Sequence, residues 1–103
     1  MQEIQQQIIE KQKETFTQNM QAILNQQQAE IYKLEQSVLM DNELIALRKK
    51  ITSATESQLN NGAITYSEFL TERNAQLQAE LSLQTHQLQL LMNKINYQTT
   101  LGK

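Results

Sequence analysis

His86 is the one imidazole in the chain, and it has neither a cysteine nor a second histidine four residues away with which to hold a metal ion. Its expected place is a helix surface or a helix–helix interface, and neither a metal nor another cofactor is expected. Glu68, Glu72 and Glu80 are carboxylates close together in sequence. Paired-carboxylate catalysis needs a cleft and a raised pKa, which a thin helical rod does not provide. Glu68 reads instead as a helix cap, and Glu72 as a same-face partner of Gln76. Arg48-Lys49-Lys50 is a short basic run that reads as a solvated helix face. No glycine-rich phosphate loop and no nucleophile elbow is present, and two helices are not expected to bring a Ser/His/Asp set together. The chain therefore reads as a protein that is not an enzyme.

The elements that carry these residues follow from composition. The 103 residues hold no Pro, no Cys and only two Gly, which bounds the chain to one small domain without disulfides or thiolate metal sites. Nine basic against eleven acidic residues leave a net charge of −2, which lacks the basic footprint of a nucleic-acid or anionic-lipid binder. No apolar run approaches the roughly 18 to 20 residues of a membrane-spanning helix, and no signal peptide opens the chain. Eighteen Gln and eight Asn are interleaved with Leu, Ile, Ala, Glu and Lys at helical spacing, so the amide bias favours ordered helix over a disordered polar tract.

The stretch from Met1 to Leu59 has no Gly or Pro to stop a helix. Within it Leu24, Ile31, Val38 and Ile45 recur every seven residues, with Leu34 between them and Gln27 and Asp41 at its sister sites. Asn60-Asn61-Gly62 is a stop signal, since glycine takes the left-handed conformation past a last turn at little steric cost. Thr65-Tyr66-Ser67-Glu68 then spells a capping box, flanked by Ile64 and Phe69 as a hydrophobic staple. The fold class is thus all-α: a long antiparallel, coiled-coil-like hairpin with a first helix over about 1–60, a tip turn over 61–64 and a second helix over about 65–101. Gly102 ends it.

The second helix carries two apolar lines. Leu81, Leu88 and Ile95, with Leu70, Leu77 and Leu91, form the cleaner seam; Phe69, Gln76, Leu83, Leu90 and Tyr97 form another, about 130° around the axis. Two separated stripes predict a helix packed between two neighbours, as in a bundle or a closed ring. At about 1.5 Å per residue the first helix runs roughly 85 to 90 Å and the second about 50 Å, so the first ~25 residues have no partner inside the chain. Pairing outward from Gly62 sets Ala54 level with Leu70 and Leu34 level with Leu90. Ile4, Ile8, Phe16, Leu83 and Leu90 are then expected to need cover by self-association, as an antiparallel dimer forming a four-helix bundle.

The segment Leu59-Asn60-Asn61-Gly62-Ala63-Ile64-Thr65-Tyr66-Ser67-Glu68-Phe69-Leu70-Thr71-Glu72, followed by Asn74-Ala75-Gln76-Leu77 and closing on Asn96-Tyr97-Gln98-Thr99-Thr100-Leu101-Gly102, resembles the C-terminal helical hairpin of TolC-like outer-membrane efflux proteins. The resemblance covers about residues 43 to 102 and is compatible with the long helix before them. It implies a fragment of a periplasmic α-barrel domain from a channel that is trimeric in the Gram-negative outer membrane. It further implies that Asn61, Gly62, Ala63 and Ile64 at the tip meet a periplasmic adaptor protein. Glu68 stands where the family carries a carboxylate that narrows the channel entrance, with Thr65 as its cap partner; the family's next carboxylate is Thr71 here. The other reading of the same residues is a stand-alone homo-oligomeric coiled-coil scaffold, for which the heptads and the Gln content suffice.

Overall fold

The computed structural model describes residues 2–102; Met1 and Lys103, which fall inside the expected hairpin, lie outside the described residues. Two helices account for nearly all of it: α1 spans Gln2–Asn60 and α2 spans Tyr66–Leu101, 59 and 36 residues long, and no strand is present among the described residues. They run antiparallel as a hairpin whose principal extents are 89 × 18 × 17 Å. The fold is all-α.

Local chemistry explains each end. Gly62 adopts φ +74°, its N–H donates to the Leu59 carbonyl at 3.0 Å, and the Ala63 N–H donates to the Gln58 carbonyl at 2.8 Å. Those two bonds are the Schellman pattern, which satisfies carbonyls that the end of α1 leaves without helical partners. At the start of α2, Thr65 is extended at φ −83° and ψ 159°. The Glu68 N–H donates to Thr65 Oγ1 at 3.1 Å, and the Thr65 N–H donates to Glu68 Oε2 at 3.3 Å, which makes the capping box reciprocal. Gly102 closes α2 at φ +78° with its N–H on the Gln98 and Thr99 carbonyls.

The seam between the helices is narrow, because two rods can shield only the strip along which they touch. On α1 it follows the expected heptad: Leu34, Asp41, Ile45 and Thr52 are buried, with Leu24, Ile31, Val38 and Leu59 half-buried on the same line. On α2 the structure corrects the expectation. The leucine seam faces outward, with Leu81, Leu88, Leu91 and Ile95 between 51% and 58% exposed. The other line faces α1: Gln76 and Ala79 are buried, and Phe69, Leu83, His86, Leu90 and Tyr97 are half-buried. Leu83 and Leu90, expected to need a cover, therefore have one.

Polar pairing is the physical reason. The α1 seam includes Gln27, Asp41 and Arg48, and a buried charge or amide set against leucine loses its hydration without a replacement. The inward line of α2 supplies Glu72, Ser82, His86 and Thr100 at matching heights, and Ala79 leaves room for close approach. The leucine line carries only the amides of Asn74 and Gln84, with no charged partner for Asp41 or Arg48.

The register is set by the same bonds. Gln27 Nε2 donates to Thr100 Oγ1 at 3.1 Å and Gln28 Nε2 donates to Tyr97 Oη at 2.7 Å, so α2 ends opposite Gln27 and Gln28. Residues 2–19 of α1 extend past it and are all exposed. Ala54 and Leu70, expected to lie near one another, are both exposed and stand outside the seam.

Candidate functional site

Three features of the hairpin could do work: its tip, a polar rung in its middle, and the apolar faces left open on both helices. At the tip, Asn61, Gly62, Ala63, Thr65 and Glu68 are exposed and Ile64 is half-buried. Tyr66 is 63% exposed, and its ring centroid lies 6.2 Å from that of half-buried Phe69. The capping box holds the Glu68 carboxylate at the N-terminus of α2, where the helix dipole favours negative charge. The tip is thus a small, conformationally fixed knob with apolar and amide groups around one carboxylate. It has no cleft in which a substrate could be enclosed.

The middle rung overturns one expectation. Asp41 of α1 meets Ser82 and His86 of α2: Ser82 Oγ donates to Asp41 Oδ1 at 3.4 Å, and His86 Nδ1 meets Asp41 Oδ2. Two helices therefore do bring Ser, His and Asp together, because Ser82 and His86 are one turn apart on the inward face. The wiring is not that of a nucleophilic triad. The serine bonds to the carboxylate and not to the imidazole, so the imidazole is not the hydroxyl's partner as it is in such a triad. The rung is an interface device that supplies a buried carboxylate, only 12% exposed at its side chain, with two partners.

Two further pairings differ from the expected ones. Glu72 faces Arg48 across the seam, with Arg48 Nη1 3.5 Å from Glu72 Oε2, while Gln76 Nε2 donates to Glu80 Oε1 at 2.9 Å. Arg48 is consequently part of the interface, whereas Lys49 and Lys50 remain exposed. The sequence signal for these pairings was Asp41 itself, a charge on an apolar heptad line that demands a partner. Thr52 Oγ1 and Gln27 Oε1 are buried with no hydrogen-bond partner among the described residues. A shallow strip along Ile4, Ile8, Lys11 and Thr15 of the overhang is formed by one helix alone, which cannot wall a cavity. No group of three or more His, Cys, Asp or Glu able to hold a metal is found among the described residues, and no helix there is long and apolar enough to cross a membrane.

The open faces are the largest feature. On α2, Leu83 and His86 point inward and Leu81 and Gln84 outward, an offset of two residues; at about 100° per residue the two faces lie about 160° apart. On α1, Tyr32, Leu39, Met40 and Leu47 are 54% to 68% exposed and occupy the side away from its seam. Each helix therefore has a covered strip and, nearly opposite, an uncovered one. Between them on α2, Arg73, Glu80, Gln87 and Lys94 fall at seven-residue steps on one flank, while Thr71, Gln78, Thr85 and Gln89 occupy the other, free of charge.

No protein-family model, no curated protein and no solved structure matches the chain.

Proposed function

We propose that this chain is the periplasmic α-helical hairpin of a TolC-like outer-membrane channel, in an efflux or type I secretion system, and that it lines the conduit and docks a periplasmic adaptor protein at its tip. The observation that carries the reading is the opposition of apolar faces on both helices. In a four-helix bundle each helix meets its two neighbours at about 90°, whereas neighbours about 150° to 160° apart belong to a curved row that closes into a ring of a dozen or more rods. Such a wall has an inner and an outer polar surface. The uncharged flank of α2, built from hydroxyls and amides, suits a water-filled passage for varied cargo, and Gln supplies that lining without breaking a helix.

In this reading the parent channel is a trimer in the outer membrane of a Gram-negative bacterium, and the hairpin stands in the periplasm. Asn61, Gly62, Ala63 and Ile64 touch the adaptor. Glu68 has two duties, as the N3 residue of the cap and as a carboxylate at the channel entrance. A stand-alone homo-oligomeric scaffold is the second reading, favoured by the leucine face of α2 because that face would serve any helical partner.

The test uses the full chain immobilised and a purified periplasmic adaptor hairpin as the probe. Wild type should retain the probe, and Ala63→Arg or Ile64→Asp should weaken retention by about tenfold or more, which is about 1.4 kcal/mol. Ala63 is exposed, so its substitution leaves the hairpin folded. Equal retention by all three chains, or none by wild type, rejects tip docking and leaves the scaffold.

A further inference from the structure

The outward face of α2 repeats Leu70, Asn74, Leu77, Leu81, Gln84, Leu88, Leu91 and Ile95, the three-and-four spacing of a coiled-coil seam, and every one of these side chains is exposed. Leu81, Leu88, Leu91 and Ile95 are each more than half exposed. An exposed leucine-rich stripe of that length, interrupted by Asn74 and Gln84 and flanked by polar residues, is a contact surface. We infer that its partner is the same stripe on a second copy of this chain, laid antiparallel about a two-fold axis at the level of His86.

Charge and polarity select that register. In it Leu81 meets Leu91 of the second copy, Leu77 meets Ile95, Asn74 meets Gln98 as amide on amide, and Gln84 meets Leu88 beside the axis. Each pair occurs twice by symmetry. On the flank beside this core Glu80 meets Lys94 of the second copy, also twice. Sliding the copies by one heptad, to pair Leu70 with Ile95, would instead set Arg73 against Lys94 and lose both attractions. A parallel pairing brings no opposite charges together. The chosen register also keeps Arg73, Glu80 and Lys94 of both copies on one side of a four-helix row and Thr71, Gln78 and Thr85 on the other. Because the inward and outward faces of α2 lie about 160° apart, the product is an open, shallow row, α1–α2–α2–α1, and not a square bundle.

The pairing is a property of the chain by itself and does not rest on the channel reading, in which the same face of α2 meets a neighbouring helix of the wall instead. The chain has no cysteine, so single cysteines report contacts cleanly. Under oxidation, Gln87→Cys, which lies beside the two-fold axis, should form a disulfide-linked dimer. Leu81→Cys alone should not, and Leu81→Cys mixed with Leu91→Cys should give the mixed dimer. In sedimentation, Glu80→Lys and Lys94→Glu should each weaken the dimer by about threefold or more, and the double exchange should restore it. Leu81, Gln87, Leu91 and Lys94 are exposed, so circular dichroism should show unchanged helicity for those variants. Glu80 is half-buried and accepts a bond from buried Gln76, so Glu80→Gln, which keeps that acceptor and removes the charge, is the variant that separates dimer weakening from damage to the hairpin. A helical monomer at concentrations up to about 1 mM overturns the proposal. So does self-linking of Leu81→Cys, which would report a parallel pair, and so does a double exchange that fails to restore association.

Discussion

Asp41 and His86, 45 residues apart in the chain, meet across the hairpin and form its central polar rung, with Ser82 as the second partner of the same carboxylate. This contact lies among leucines and isoleucines on α1, and it orients α2. Breaking one side strands a buried charge, whereas replacing both sides with apolar groups removes the desolvation cost along with the bond. In urea unfolding, His86→Leu alone should destabilise by about 1–3 kcal/mol, while Asp41→Leu with His86→Leu should be neutral or stabilising. A double variant less stable than the wild type would show that the rung contributes net stability.

Leu34 and Leu81 test which faces are in contact. Leu34 is 6% exposed and Leu81 is 55% exposed. At dilutions where the chain is monomeric, Leu34→Ala should lower the unfolding free energy by about 2–4 kcal/mol and Leu81→Ala by less than about 0.5 kcal/mol. The reverse order would mean that the leucine line, and not the Phe69–Tyr97 line, packs on α1.

The tip is held by backbone chemistry confined to a few residues. A Cβ on Gly62 would meet nothing within 4 Å, so the cost of Gly62→Ala is the left-handed torsion alone, about 1 kcal/mol, and Gly62→Asn should cost less. Thr65→Ala removes the side-chain half of the capping box and should cost about 1 kcal/mol, with Thr65→Ser nearly neutral. Thermal unfolding followed by circular dichroism measures all four.

Residues 2–19 of α1 bury nothing, and a lone helix of that length in water is marginal. Hydrogen exchange should show the fastest amides there and the slowest around Leu34–Ile45 and Gln76–Ala79, where the seam is buried. Deleting residues 2–19 should leave the unfolding free energy of the remainder within about 0.5 kcal/mol. A large loss would show that the overhang folds back onto the hairpin.

The stop at Gly62, the cap at Thr65 and Glu68, the closure at Gly102 and the heptad of α1 were all legible as residues in order, because each depends on sterics or hydrogen bonds within a few positions. The unequal lengths of the two rods needed only the helical rise. The tip's conformation was legible for the same reason; Asn61, Gly62 and Ala63 are exposed where a partner could reach them, and Ile64 is half-buried.

Which stripe of α2 turns inward was decided only by the tertiary structure. By apolar count the leucine line is the stronger seam, and periodicity ranks it first. The outcome rests on Asp41, Arg48 and Gln27, whose partners Ser82, His86, Glu72 and Thr100 lie far away in sequence and share a face only once the hairpin sets their heights. Unpaired polar groups in the seam would have cost more than the extra leucines could offset, so the amide and charge pairs went in and the leucines stayed out.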